Sequence, residues 1–153
     1  IRTILKSAVN DVVDEIKKLQ QENQVPLRNI IVDEDGVGGG VKDYLRCQGF
    51  TNNARALKGE NYQNLKTQCY YKLADEINKG QIGISCSDVN TKNTITEELE
   101  QVRMKDADKD NKLQIIPKDT VKAILGRSPD YADALAMRMF YEIDSNFGRY
   151  YVQ

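Results

Sequence analysis

Ile4, Leu5, Ala8, Val9, Val12, Val13, Ile16 and Leu19 recur at helical spacing, with Lys6, Asp11, Asp14, Lys17 and Lys18 between them. That stripe predicts an amphipathic helix of about four to five turns, covering one face of a sheet. The polar run Gln20 to Gln24 and then Pro26 mark its end. Asn29 to Val32 reads as a short apolar strand, because Ile and Val favour extended backbone. The strand runs into Asp33, Glu34 and Asp35 and a glycine-rich turn, and a short helix follows over Val41 to Arg46. Phe50 begins a brief strand, and Thr51 to Glu60 is a polar loop carrying Arg55 and Lys58. Tyr62, Leu65, Cys69, Leu73 and Ile77 predict a second long helix that ends before Gly80.

Further on, Gln81 to Ser85 reads as a weak strand. Thr94 with Glu97 three residues later forms a capping-box pattern for a helix reaching about Met104. Lys112 to Ile116 reads as a strand, and Pro117 opens a helix over Asp119 to Leu125 that Gly126 closes. Ser128 is placed to cap the last helix, with Pro129 in its first turn. Ala132, Leu135, Ala136, Met139, Phe140 and Ile143 form that helix's apolar stripe. Strands interleaved with helices predict an α/β fold.

At 153 residues the chain is long enough for one domain with a real core, here taken as residues 1–153. Its formal net charge of −1 leaves no overall basic footprint for nucleic acid. No apolar run approaches the ~18 residues of a membrane helix, so no membrane partner is expected. No secretory signal is visible, and a start at Ile1 in place of Met is expected of a fragment or processed chain. Cys47, Cys69 and Cys86 form no C-x-x-C pair, and histidine is absent. Free thiols in a reducing cytoplasm fit that pattern. It argues against zinc and against Ser-His-Asp or Cys-His catalysis. Hydrolytic chemistry here would rest on carboxylates and a metal.

Two acidic positions stand out. Asp33 lies at the carboxyl end of a strand, where open α/β sheets place their ligands, although Asp33 to Asp35 would equally cap a turn. The adjoining glycines match neither phosphate-binding template: no Lys-Ser or Lys-Thr follows Gly40, and the sixth position counted from Gly36 is Val41. They leave a turn that needs positive backbone torsions or a close approach by another segment. Asp130 and Asp133 sit three apart in the first turn of the last helix, where the helix dipole favours acids by ~0.3–1 kcal/mol. Asp133 also lies between Ala132 and Ala134 beside the apolar stripe, where a lone charge is costly unless paired or bound to metal. The run Asp106-x-Asp108-x-Asp110-Asn111 resembles the start of a calcium loop, but its twelfth position is Pro117, which offers no side-chain ligand. A solvated turn fits it better.

The stretch from Ile31 to Arg46, Tyr62-Gln63-Asn64-Leu65-Lys66, Ile115-Ile116-Pro117-Lys118 and Ser128-Pro129-Asp130-Tyr131-Ala132-Asp133-Ala134-Leu135 together resemble the nuclease domain of a tailed-phage terminase large subunit. That resemblance implies a ribonuclease H-like mixed sheet flanked by helices. It also implies cleavage of concatemeric double-stranded DNA with two Mg²⁺ or Mn²⁺ ions. By it, Asp33 matches the carboxylate ending the fourth strand, and Asp130 and Asp133 match the acidic pair on the closing helix. Asp35, beside Asp33, is a secondary candidate. Arg55, Lys66, Lys72 and Lys118 are candidate phosphate contacts, each more readily read as an ordinary surface charge. Implied partners are the terminase ATPase domain, the small subunit and the portal, in the host cytoplasm. Two ions ~3.5–4 Å apart stabilise the attacking and leaving oxygens of a phosphodiester, and carboxylates suffice to hold them. The family's first strand, with its own aspartate, precedes the first helix and is expected to be missing here, as is the ATPase domain. An inactive prophage-derived docking domain is therefore the rival expectation. The nuclease reading expects Asp33, Asp130 and Asp133 to gather in one pocket.

Overall fold

The structure, a computed structural model, describes residues 2–4, 8–35, 38–105 and 111–144. The chain divides into two compact units, one over Ile1–Asn52 and one over Asn53–Asn146.

In the first unit the apolar stripe forms α1, Val9–Asn23. It starts later than the pattern suggested: Ile4 lies outside the helix and is exposed. Asp11, three residues past the cap, takes the Ala8 backbone N–H at 3.0 Å and so closes the first turn. The polar run does not end the helix. It continues to Asn23, and Gln24 terminates it in a left-handed conformation (φ 52°) ahead of Pro26. A single 3-10 turn over Leu27–Asn29 delays the strand, so β1 is Ile31–Asp33. β2, Gln48–Phe50, pairs parallel with it, Ile31 opposite Gln48 and Asp33 opposite Phe50. A parallel pair requires a crossover, and α2, Gly38–Leu45, supplies it. Val13 of α1 packs with Val41 and Leu45 of α2, and Val9, Val12, Ile16, Val32 and Cys47 close round them.

Of the glycines at the start of α2, Gly38 answers a close approach. Gly38 to Gly40 carry no positive φ, and a Cβ on Gly38 would stand 1.5 Å from the Asp33 carbonyl oxygen. The helix can therefore begin directly against the end of β1.

In the second unit the predicted polar loop is pinned. Gln68, 1% exposed, accepts the Leu57 N–H at 2.8 Å and donates to the Leu57 carbonyl and to Glu60. It thereby holds a 3-10 turn over Leu57–Gly59 in which Lys58 is left-handed (φ 57°). Helix α3, Leu65–Asn78, is capped by Asn64, whose side chain accepts the Thr67 N–H at 2.9 Å. Leu65, Cys69, Tyr70 and Leu73 are buried, and the helix gives way at Gly80 (φ 65°). Gln81 to Ser85 form no strand. Helix α4, Val89–Gln101, begins five residues before Thr94, capped by Asp88 through the Thr91 N–H at 2.7 Å. The Thr94 cap and the reach to Met104 are thus both corrected. Met104–Lys105 form β3, antiparallel to β4, Gln114–Ile115. The acidic Asp106 to Asp110 run lies outside the described residues. Helix α5, Lys118–Leu125, ends at Gly126 (φ 69°) as expected. Helices α6, Asp130–Arg138, and α7, Phe140–Ile143, bury Ala132, Ala136, Met139, Phe140 and Ile143. Ser128 does not cap α6; Pro129 holds that position and gives no side-chain hydrogen bond. Among the described residues no helix is long and apolar enough to cross a membrane.

Candidate functional site

In the first unit, Asp33 is the last residue of β1, and the Glu34 N–H extends the ladder to the Phe50 carbonyl at 2.9 Å. The turn that follows is organised by side chains. Asp33 Oδ1 accepts the Asp35 N–H at 3.1 Å, which is the turn-capping role, and the Asn52 side-chain amide at 3.0 Å. That same amide donates to Asp35 Oδ2 at 2.7 Å, and the Asn52 backbone N–H reaches the same oxygen at 3.0 Å. Asn52 thus ties the two carboxylates together. Glu34 turns elsewhere, to Lys42 on α2 at 2.8 Å. Asn52 sits in a polar loop and nothing in its local pattern marks it.

In the second unit, Asp133 is half-buried against the apolar stripe and is fully paired. Its Oδ1 accepts Tyr70 Oη and Lys66 Nζ, each at 2.6 Å, and its Oδ2 accepts Lys118 Nζ at 2.5 Å. Burial acts to raise the Asp133 pKa. Hydrogen bonds from Lys118, Lys66 and Tyr70 outweigh it and hold the carboxyl below its ordinary value. Burial, reinforced by the Asp133 charge, pushes the Tyr70 phenol far upward, so it serves as a neutral donor. Lys66 also lies 5.8 Å from the Tyr70 ring centroid. The cost of a charge beside the stripe is met here by two ammonium groups and a phenol. Of these, Lys66 and Lys118 are the candidate phosphate contacts. Lys66 and Tyr70 are four apart on α3, so their shared face was legible, but their target was not.

Asp130 stands exposed at the first position of α6. Lys72 pairs with Glu76 one turn on at 2.6 Å, and Arg55 is exposed on the loop before Leu57. Among the described residues, no three acidic or cysteine side chains gather to hold a metal. Asp33 and Asp35 present carboxylate oxygens, the donor type a hard divalent ion takes, whereas both oxygens of Asp133 are already held by Lys66, Lys118 and Tyr70. The free thiols of Cys47, Cys69 and Cys86 take no part.

The fold is that of a phage terminase nuclease domain. The likeness is to the nuclease domain of the large terminase subunit gp2 of bacterial virus Sf6, with a TM-score of 0.67 and 23% identity over 88% of this chain and 74% of that one. A point mutant of that domain with manganese and beta-thujaplicinol matches at a TM-score of 0.68 and 22% identity over the same shares. A point mutant with calcium matches at 0.64 and 24%, again over 88% and 74%. No protein-family model matches the chain, and no curated protein matches it.

Proposed function

We propose that residues 1–153 form a terminase-type, ribonuclease H-like nuclease domain that cuts concatemeric double-stranded DNA during phage packaging. The observation that carries this is the fold shared with the Sf6 nuclease domain across 88% of the chain. The reading assigns Asp33 and Asp35 from one unit, and Asp130 and Asp133 from the other, to binding Mg²⁺ or Mn²⁺. Two such ions, when bound, supply the charge that the attacking and leaving oxygens of a phosphodiester require. Asn52 holds Asp33 and Asp35 at a set spacing. Lys118, Lys66 and Tyr70 hold Asp133 ionised. Arg55, Lys66, Lys72 and Lys118 would meet the DNA backbone as point charges. An ATPase domain, a small subunit and a portal would be its partners, in the cytoplasm of a bacterial host.

A second reading is an inert, prophage-derived docking domain. One observation favours it: both Asp133 oxygens are occupied by lysine ammonium groups. Incubating supercoiled plasmid with Mn²⁺ decides between them. The nuclease reading expects nicking or linearisation by the unaltered chain that Asp33→Ala and Asp133→Asn both abolish. Intact plasmid in every lane leaves the docking domain standing.

A further inference from the structure

Residues 53–60 hold no regular element beyond one 3-10 turn, yet α3 and its cap fasten them along their length. The Ala54 carbonyl accepts the Leu65 N–H at 2.8 Å, and the Asn53 side-chain oxygen accepts the Asn64 amide at 3.2 Å. Gln68 bonds both backbone groups of Leu57, at 2.8 and 3.2 Å, and donates to Glu60 at 3.1 Å. Within this frame Lys58 is left-handed (φ 57°, ψ 17°), a conformation that L side chains rarely adopt, and Gly59 follows at φ 69°. Glycine takes that conformation freely, whereas a lysine there carries strain. The Lys58 side chain is exposed and, among the described residues, has no hydrogen bond or ion pair to offset it.

Arg55, three residues earlier, is exposed and likewise without a partner among the described residues. The one carboxylate of the segment, on Glu60, is bonded by Gln68. The other cations that the nuclease reading lends to DNA are engaged: Lys66 and Lys118 on Asp133, and Lys72 on Glu76 at 2.6 Å. A phosphate would have to break those pairs before it gained an ammonium group, whereas Arg55 and Lys58 are open to it from the start. A loop fixed in advance also loses less freedom on binding than a flexible one.

We propose that residues 53–60 are a preformed contact for the phosphate backbone of duplex DNA, with Arg55 and Lys58 as its charges and Gln68 as the positioning residue that holds them. The duplex rests on the nuclease reading above; the fastening of the loop does not. Each phosphate neutralised releases counterions, so log affinity falls with log salt by about 0.9 per contact. The test follows a labelled duplex by fluorescence anisotropy in metal-free buffer, where cleavage cannot intervene, between about 50 and 200 mM salt. Arg55→Ala and Lys58→Ala are each expected to lower the slope by about 0.9, while Lys72→Ala leaves it unchanged. Gln68→Ala, where circular dichroism shows it folded, is expected to weaken binding in the unaltered background but not in the Arg55→Ala, Lys58→Ala double variant. An equal loss in both backgrounds makes Gln68 merely structural and overturns its part. The two cation variants change exposed side chains only, so they decide even where Gln68→Ala does not fold. Slopes equal to the parent's in both overturn the proposal and leave the nuclease reading intact. An unaltered chain that binds no duplex at the lowest salt takes the DNA of that reading down as well, which separates the two failures.

Discussion

Replacing Gly38 by alanine tests why three glycines open α2. A Cβ at position 38 would lie 1.5 Å from the Asp33 carbonyl oxygen and 2.8 Å from its carbonyl carbon. Both are backbone atoms, so relief requires the strand end or the helix start to retreat by about 2 Å to reach ordinary contact. That carbonyl belongs to the residue paired with Phe50, so retreat pulls on the last rung of the β1–β2 ladder. Overpacking typically costs about 1–3 kcal/mol and occasionally more. The better helix propensity of alanine returns at most about 1 kcal/mol. The net expectation is a loss of about 2 kcal/mol, read as a lower urea midpoint at unchanged slope. Gly40 is the internal control. A Cβ there meets only Val9 methyl carbons at 3.5 and 3.8 Å, so Gly40→Ala should gain about 0.5–1 kcal/mol. Opposite signs two residues apart cannot come from propensity alone. A Gly38→Ala protein as stable as the parent would refute the close-approach account.

Two further outcomes follow from the second unit. Gln68→Ala removes a buried amide that satisfies both backbone groups of Leu57 and one oxygen of Glu60, and should cost about 2–4 kcal/mol in urea unfolding; a loss below about 0.5 kcal/mol would show the loop holds itself. Asp133→Asn should cost about 1–3 kcal/mol at neutral pH, between exposed and buried pairs because Lys118 is 37% exposed. The Asp133 pKa is lower folded than its ordinary 3.8. Its contribution is therefore complete above that value and is lost as pH falls through it toward the folded pKa. The stability difference between parent and Asp133→Asn should be flat at neutral pH and shrink in acid. A difference that grows on acidification contradicts the pairing.

What the local pattern could show, it showed where a periodic stripe met an unambiguous stop. Gly80 and Gly126, both at positive φ, end α3 and α5 where expected, and Pro117 opens α5. Where two signals competed, the nearer template misled. Thr94-x-x-Glu97 fits a capping box, but Asp88 holds the cap, and Glu97 pairs with Arg127 instead. Gln81 to Ser85 has the composition of a strand but finds no partner strand, and pairing lies outside any local window. The same limit applies at the candidate site. Asp133 was legible as a charge needing a counterpart, while Lys66, Tyr70 and Lys118 come from 15 to 67 positions away. Asn52 likewise acts on Asp33 and Asp35 from outside their local window and left no trace in its neighbours' letters.

The Asn52 bridge has a consequence for the acidic end of β1. One nitrogen carries two hydrogens, and each is spent on a different carboxylate. The gap between Asp33 and Asp35 is accordingly gauged by the width of a single amide. Residues 33 and 35 act as a caliper whose jaws are set from position 52, so a substitution there would change the opening while both acids stayed in place.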